Sequence, residues 1–424
     1  MRVLLVSANT EKINMPTVPW GLGCVAAAAR RAGHAVRLVD LMGGAEPEAA
    51  LAAAIAEAEP EVIGISVRNV DDQNARQPAF LLEKVRRVVA ACRAASAAPV
   101  VLGGAGYSIF PEAALEYLQA DLGIVGEGEQ AFCDLLAALQ RGESDPVVPG
   151  LFVRGRGERL PRRFASPLDG LPLPGDDLLA SCRTAGADLW LPVQTRRGCP
   201  LDCSYCSTPA IEGRRIRRRA PEPVADWMAR WAEQGFGRFY VVDNNFNLPR
   251  DQALALCRAV AERAPGVRLR GILNPLGVDE PLVAAMARAG FCEVSLGFEA
   301  GNERMLHALG KPFDLRQVQR ASRLLAEHGI RRMGFLLLGG PGETRASAAE
   351  SLDFVAALGL DAVRATTGIR IYPNTPLHAT ALDQGVVDPE DDLLQPRFYL
   401  SPELAPNLDA TVASWKVRYP DWIF

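Results

Sequence analysis

Arg196-Arg197-Gly198-Cys199-Pro200-Leu201-Asp202-Cys203-Ser204-Tyr205-Cys206 is the stretch on which the architecture turns. It stands directly after Pro192–Gln194, a short apolar run that reads as a strand. Three of the nine cysteines fall inside it, spaced C-x3-C-x2-C, with Gly198 and Pro200 to hold a curve. Three thiolates on one loop can ligate three irons of a cubane [4Fe–4S] cluster. A structural zinc site closes with four ligands, and no fourth Cys or His is near in sequence; only His307 or Cys292, folding back, would complete one. The other six cysteines (Cys24, Cys92, Cys133, Cys182, Cys257, Cys292) are scattered among apolar neighbours and read as small buried hydrophobes.

Outward from this loop, residues 189–385 repeat one pattern. Strands are expected at Pro192–Gln194, Arg238–Val242, Arg268–Leu273, Glu293–Phe298, Arg332–Leu338 and Ala362–Ile371. Helices at Val224–Gln234, Arg250–Arg263, Glu280–Arg288, Leu315–His328 and Ala346–Leu358 separate them. Six βα units are too few for a closed eight-fold barrel and enough for a partial (β/α)6 TIM-type barrel. With three thiolates and no fourth ligand, one iron of a cubane stays open to the amino and carboxylate groups of S-adenosylmethionine (SAM). An electron from the reduced cluster then breaks a C–S bond of the sulfonium, and the resulting carbon radical can take hydrogen from an unactivated carbon.

Upstream, residues 1–150 also alternate strand and helix, which predicts a doubly wound, Rossmann-like parallel sheet with its ligand loops at the carboxyl ends of the strands. Those loops hold Asn9, Ser66, Asn69, Gly103, Gly104, Gly126 and Glu127. No G-x-G-x-x-G follows the first strand, so a dinucleotide site is not supported. Glycines at such an edge either make tight turns or let a large flat ligand approach the backbone. Glu127 and Glu129 have nothing in sequence to raise them above structural carboxylates. Residues 151–188 are Pro-rich and aperiodic, as a linker would be, and residues 386–424 form an extension with Trp415, Tyr419, Trp422 and Phe424 near its end, expected to pack on the barrel.

Composition narrows the classes. In 424 residues there are 46 Lys+Arg and 50 Asp+Glu, a formal charge of −4, which argues against binding nucleic acid through bulk electrostatics. The one basic cluster, Arg214-Arg215-Ile216-Arg217-Arg218-Arg219, reads as a solvated loop or as a surface for an anionic group or an acidic reductant. No apolar run reaches the ~18 residues of a membrane span, and the first residues read as a strand rather than a leader, so a cytoplasmic location is expected.

The cysteine spacing, with Tyr205 before the last cysteine, resembles the radical SAM superfamily. So do three later segments in order: Gly297-Phe298-Glu299-Ala300-Gly301-Asn302, Leu336-Leu337-Leu338-Gly339-Gly340-Pro341-Gly342-Glu343-Thr344 and Ile371-Tyr372-Pro373-Asn374-Thr375-Pro376-Leu377. The resemblance implies that Cys199, Cys203 and Cys206 ligate the cluster. It further implies that Tyr205, Asp243, Asn245, Gly297, Glu299, Gly340 and Tyr372 surround SAM. The Gly-Gly-Glu of many members is replaced by Val242-Asp243-Asn244-Asn245, which puts Asp243 or Asn245 near the methionine amino group. Pro19-Trp20-Gly21-Leu22, Gly33-His34-Ala35-Val36, Val101-Leu102-Gly103-Gly104 and Gly126-Glu127-Gly128-Glu129 resemble the B12-binding module of one branch. Asn9, Ser66, Asn69, Gly103, Gly104, Gly126 and Glu127 are then the cobalamin candidates. The D-x-H-x-x-G signature is missing, and His34 reads as a turn residue. The implied activity is hydrogen abstraction from a small organic substrate, with cobalamin-dependent C-methylation favoured over dehydration, epimerisation or rearrangement, and a flavodoxin- or ferredoxin-type electron donor.

Overall fold

The computed structural model describes residues 1–13, 15–42, 47–186 and 188–424. They divide into two compact units: residues 1–72, 79–192 and 208–213, and residues 73–78, 193–207 and 214–424.

The first unit is built on a seven-stranded sheet. Its strands are β1 (Arg2–Ser7), β2 (Ala35–Asp40), β3 (Val62–Ser66), β4 (Val100–Gly103), β5 (Leu122–Ile124), β6 (Leu151–Val153) and β7 (Gly157–Glu158), in the order β2-β1-β3-β4-β5-β6-β7. The first five are parallel. β1 is buried from Val3 to Ser7 without alternation, as a strand covered on both faces must be. Val3, Leu5, Val62, Val101, Leu122 and Phe132 form the core of one face. The order reverses between β1 and β3, and that switch point is where an open α/β sheet opens a crevice at its carboxyl edge.

Two features were not anticipated. A helix, Gly128–Gln140, follows β5 directly, and β6 and β7 form a hairpin that extends the sheet antiparallel, inside the stretch that reads as a linker. Strands of two or three residues leave no periodicity to read, and Gly150, Gly155 and Gly157, which take positive φ in the structure, interrupt the apolar pattern.

The second unit carries a six-stranded sheet: β8 (Leu191–Val193), then, after the short antiparallel pair β9 (Arg196–Arg197) and β10 (Arg217–Arg218), β11 (Arg238–Val241), β12 (Arg268–Leu273), β13 (Phe291–Glu299), β14 (Arg331–Leu338) and β15 (Ala362–Thr367). The strands lie in sequence order from β8 to β15, and β11 to β15 are parallel. This is the partial barrel that the six βα units imply. On β13, Val294, Leu296 and Phe298 are buried, while the face with Ser295, Gly297 and Glu299 is only partly covered. Several of the helices between strands start on side-chain caps: Asp279, Asn302, Asp314 and Thr344 each accept a backbone N–H of the first turn.

The strand expected over 362–371 breaks at Gly368, whose φ is +78°; Ile369–Arg370 (β16) instead pairs antiparallel with Phe398–Tyr399 (β17). Beyond it, Ile423 bonds to both sides of Arg364, through Ile423 N to Val363 O at 3.0 Å and Ala365 N to Ile423 O at 2.7 Å. Tyr419 and Trp422 stack beside it with ring centroids 4.1 Å apart. Among the described residues no helix is long and apolar enough to cross a membrane.

Candidate active site: the cysteine loop and the strand ends around it

The cysteine loop is held at its root by a buried ion pair. Asp243, fully buried at the end of β11, accepts from Thr195 N (2.7 Å), Thr195 Oγ1 (2.5 Å), Arg196 N (3.2 Å) and Arg196 Nε (3.2 Å). Arg196, 2 % exposed, gives its remaining donors to the carbonyls of Phe246 and Leu248. Gly198, at φ +90°, then turns the chain into the loop.

Inside the loop, Cys206 N donates to Cys203 O (3.2 Å), Ser204 N to Leu309 O (3.0 Å) and Leu377 N to Ser204 O (2.9 Å). Cys199 is buried, whereas Cys203 and Cys206 are partly exposed. Asn245 Nδ2 donates to Cys199 Sγ at 3.4 Å. Asn245 is itself held: Asn274 Nδ2 donates to its Oδ1 (3.3 Å), and Asn247 Nδ2 ties Asn274 O and Leu276 O (both 2.8 Å). The Ser204 hydroxyl is buried with no hydrogen-bond partner. A donor aimed at one thiol and an unsatisfied hydroxyl beside another suit an acceptor-rich cluster of sulfides.

Among the described residues no three Cys, His, Asp or Glu converge as a single ion requires. His307 is exposed, and Cys292, at the amino end of β13, donates to Leu269 O, so neither completes a zinc site. A cubane takes each thiolate on a different iron and needs no common point. Burial pushes the Cys203 thiol up to about 11, and the charge of Lys311 acts against that rise.

The neighbouring strand ends converge on Tyr205. A register shift in the β13–β14 ladder precedes Glu299, which adopts φ +65°. Lys311 Nζ donates to Tyr205 Oη (2.8 Å) and Gly297 O (3.3 Å) and lies 3.5 Å from Glu299 Oε1. Removal from water, and then Glu299, hold the Tyr205 phenol well above its ordinary value. After β14, Gly340 N donates to Glu343 Oε2 (3.2 Å), and the Tyr372 hydroxyl accepts from Gln73 Nε2 (3.0 Å).

In the first unit, a cleft at the β1/β3 switch point is lined by Asn9, Thr10, Ser66, Arg68, Asn69 and Lys84. Arg68 stands exposed at the edge of this cleft. At the end of β4, Gly104 has φ +98°, and a Cβ there would fall 2.6 Å from Val67 O. At the end of β5, Gly126 N donates to Ser108 Oγ (2.9 Å), while Glu127 Oε2 accepts Ala165 N (2.7 Å). Asn9, Ser66 and Asn69 therefore share one cleft, and Gly104 sits against Ser66. Glu127 is engaged with the backbone of residue 165.

The family model of the radical SAM superfamily matches residues 193–355, and that of the B12-binding domain matches residues 6–136. The chain carries a B12-binding domain followed in sequence by a radical SAM domain. The tryptophan 2-C-methyltransferase of Streptomyces laurentii is 26 % identical to it, over 89 % of this chain and 74 % of that protein. The cytidylyl-2-hydroxyethylphosphonate methyltransferase of Streptomyces wedmorensis is also 26 % identical, over 92 % of this chain and 84 % of that one. The radical SAM methyltransferase TsrM from Kitasatospora setae, solved with cobalamin and a [4Fe–4S] cluster bound, superimposes with a TM-score of 0.88 at 25 % identity, covering 100 % of this chain and 92 % of that one.

In the radical SAM domain the Gly-Gly-Pro-Gly-Glu-Thr turn has a structural logic of its own. Glu343, 1 % exposed, accepts the N–H groups of Gly339 and Gly340, yet burial outweighs them and raises it to about 7. The folded carboxyl then keeps its proton up to about pH 7, while the unfolded one releases it near 4.5. Its contribution to stability falls as pH rises from 4.5 to 7 and is constant above, by about 3 kcal/mol in all. Thermal unfolding between pH 5 and 8 should show this slope in the wild type and lose it in Glu343→Gln.

Three site features escaped the sequence reading: Lys311, the Asn245–Asn274–Asn247 ladder and Arg68. Lys311 left one trace, being one of only four lysines among 46 basic residues.

Proposed function

We propose that this protein is a cobalamin-dependent radical SAM methyltransferase that places a methyl group on an unactivated carbon of a small molecule, a natural-product or lipid precursor. The observation that carries the reading is the open set of three thiols, braced by Asn245 at Cys199, in a chain that also bears a glycine-edged B12-binding sheet. Similarity to methyltransferases over most of the chain supports it.

When bound, the cluster, SAM and cobalamin supply the electron, the cleavable sulfonium and the transferable methyl group. The chain's own residues bind, orient and insulate them. Cys199, Cys203 and Cys206 would hold the cluster through their thiolates. Tyr205, Gly297, Glu299, Gly340 and Tyr372 surround SAM. Of the two candidates for its amino group, Asn245 is carried forward, because both oxygens of Asp243 are occupied by Thr195 and Arg196. Asp243 instead fixes the root of the cysteine loop. For cobalamin, Asn9, Ser66 and Asn69 supply polar contacts and Gly103, Gly104 and Gly126 supply close backbone approach, while Glu127 acts through its hold on residue 165. An acidic flavodoxin or ferredoxin in the cytoplasm delivers the electron.

The test is anaerobic reconstitution with iron, sulfide and hydroxocobalamin, followed by SAM and reductant. Bound corrinoid and S-adenosylhomocysteine are the expected results. 5′-Deoxyadenosine from a protein that retains no corrinoid and makes no S-adenosylhomocysteine would replace methylation by dehydration, epimerisation or rearrangement.

A further inference from the structure

We propose that Lys311 is a positioning residue of the cluster site: it holds Tyr205 and Glu299 in place and sets one fixed positive charge beside the cysteine loop. This rests on the reading that the three thiols bind a [4Fe–4S] cluster.

Three consecutive residues clasp the loop. Leu309 O accepts Ser204 N at 3.0 Å. Gly310, at φ +68°, lies so close that a Cβ would fall 2.5 Å from Asp202 O. Lys311 Nζ then reaches Tyr205 Oη at 2.8 Å. No side chain but glycine fits the middle of this clasp, and the backbone on either side of it is thereby fixed against the loop.

The lysine is unusual in its setting. Its side chain is 4 % exposed, and an ammonium group buried to that degree is costly unless partnered. Its partners are a phenol, a carbonyl and a carboxylate 3.5 Å away, with the Nζ 5.2 Å from the Tyr205 ring centre. Each partner is a residue or strand end of the SAM site, so one side chain orders three. Glu299, in the left-handed region that a non-glycine residue seldom adopts, is held there by this contact.

The charge has a second effect. Three thiolates make a cluster anionic, and reduction adds negative charge. A positive charge in a poorly solvated site therefore stabilises the reduced state and raises the potential. A compact ammonium suits the space under the Tyr205 ring better than a planar guanidinium, while arginine would preserve the charge.

Wild type, Lys311→Met and Lys311→Arg, each loaded anaerobically with iron and sulfide, separate the two effects. Iron per chain, the potential from an EPR-monitored titration and SAM affinity are measured on each. Lys311→Met should shift the potential to more negative values and weaken SAM binding about tenfold, the scale of one charge-assisted contact. Lys311→Arg should recover the potential but not the full SAM affinity. A Lys311→Met protein with the wild-type potential and wild-type SAM affinity overturns the assignment. If Lys311→Met does not fold, Lys311→Gln, which keeps a polar end without charge, is judged by the same two readouts. Wild-type protein that takes up no cluster fails the underlying reading and the lysine with it. An unchanged potential and affinity in a variant that binds its cluster fail the lysine alone.

Discussion

Cys203→Ala should lose the cluster and with it all SAM-dependent chemistry. Cys203 sits at the middle of the loop, and the change removes one of the three ligands while its carbonyl still accepts Cys206 N, so the loss is of ligation and not of the loop's backbone. Partners that merely orient metal ligands are worth ~10- to 100-fold in affinity, and removal of a ligand itself should exceed that range. Cys199 and Cys206 alone cannot hold a cubane through three corners. The measurement is the iron and sulfide content and the visible absorption after anaerobic reconstitution, followed by SAM consumption. Because the loop is also fastened by Leu309 and Leu377 to Ser204, the Cys203→Ala chain should still fold, with a thermal midpoint near the wild type. A Cys203→Ala protein with full cluster content would remove the cysteine loop from the mechanism.

The second large effect concerns folding rather than ligation. Asp243→Ala leaves Arg196 at 2 % exposure with its countercharge gone, and orphans Thr195 N and Oγ1 as well. Removing one partner of a buried ion pair costs about 3–5 kcal/mol, because the surviving charge has no water to return to. Urea unfolding should show a loss of that order. Asp243→Asn keeps an acceptor for Thr195 while lacking the charge, so it should fall between. If Asp243 instead met a ligand directly, the alanine variant would unfold like wild type and fail only in binding. The two outcomes separate a residue that shapes the loop from one that touches SAM.

Much of the architecture was legible because strands and helices announce themselves by period. Arg268–Leu273 and Arg250–Arg263 have the limits that their apolar patterns indicate. What stayed hidden was short or tertiary. The β6–β7 hairpin is too brief to show a period, and the break at Gly368 depends on pairing with β17, thirty residues away in sequence. At the site, motif spacing brought the three thiols, Tyr205, Gly297 and Glu299 to the page, since each belongs to a continuous segment. It could not separate Asp243 from Asn245, two residues apart, because only the fold shows which carboxylate or amide is already spent. Lys311 belongs to no segment that spacing would single out. It matters because the chain returns to the cysteine loop after β13, and a return of that kind is invisible in one dimension.

The contact between Ile423 and the backbone around Arg364 has a colloidal consequence. A barrel of six strands does not close, so its last strand would present a row of unsatisfied N–H and C=O groups, a template for a second chain to join. Ile423 occupies the middle of that row, with Tyr419 and Trp422 stacked alongside as a bulky guard. Removing residues 419–424 should therefore leave the cysteine loop intact while lowering the concentration at which the protein stays monodisperse in light scattering. An architecture that opens its barrel to admit large cofactors acquires a sticky margin, and here the chain's own tail keeps that margin from polymerising.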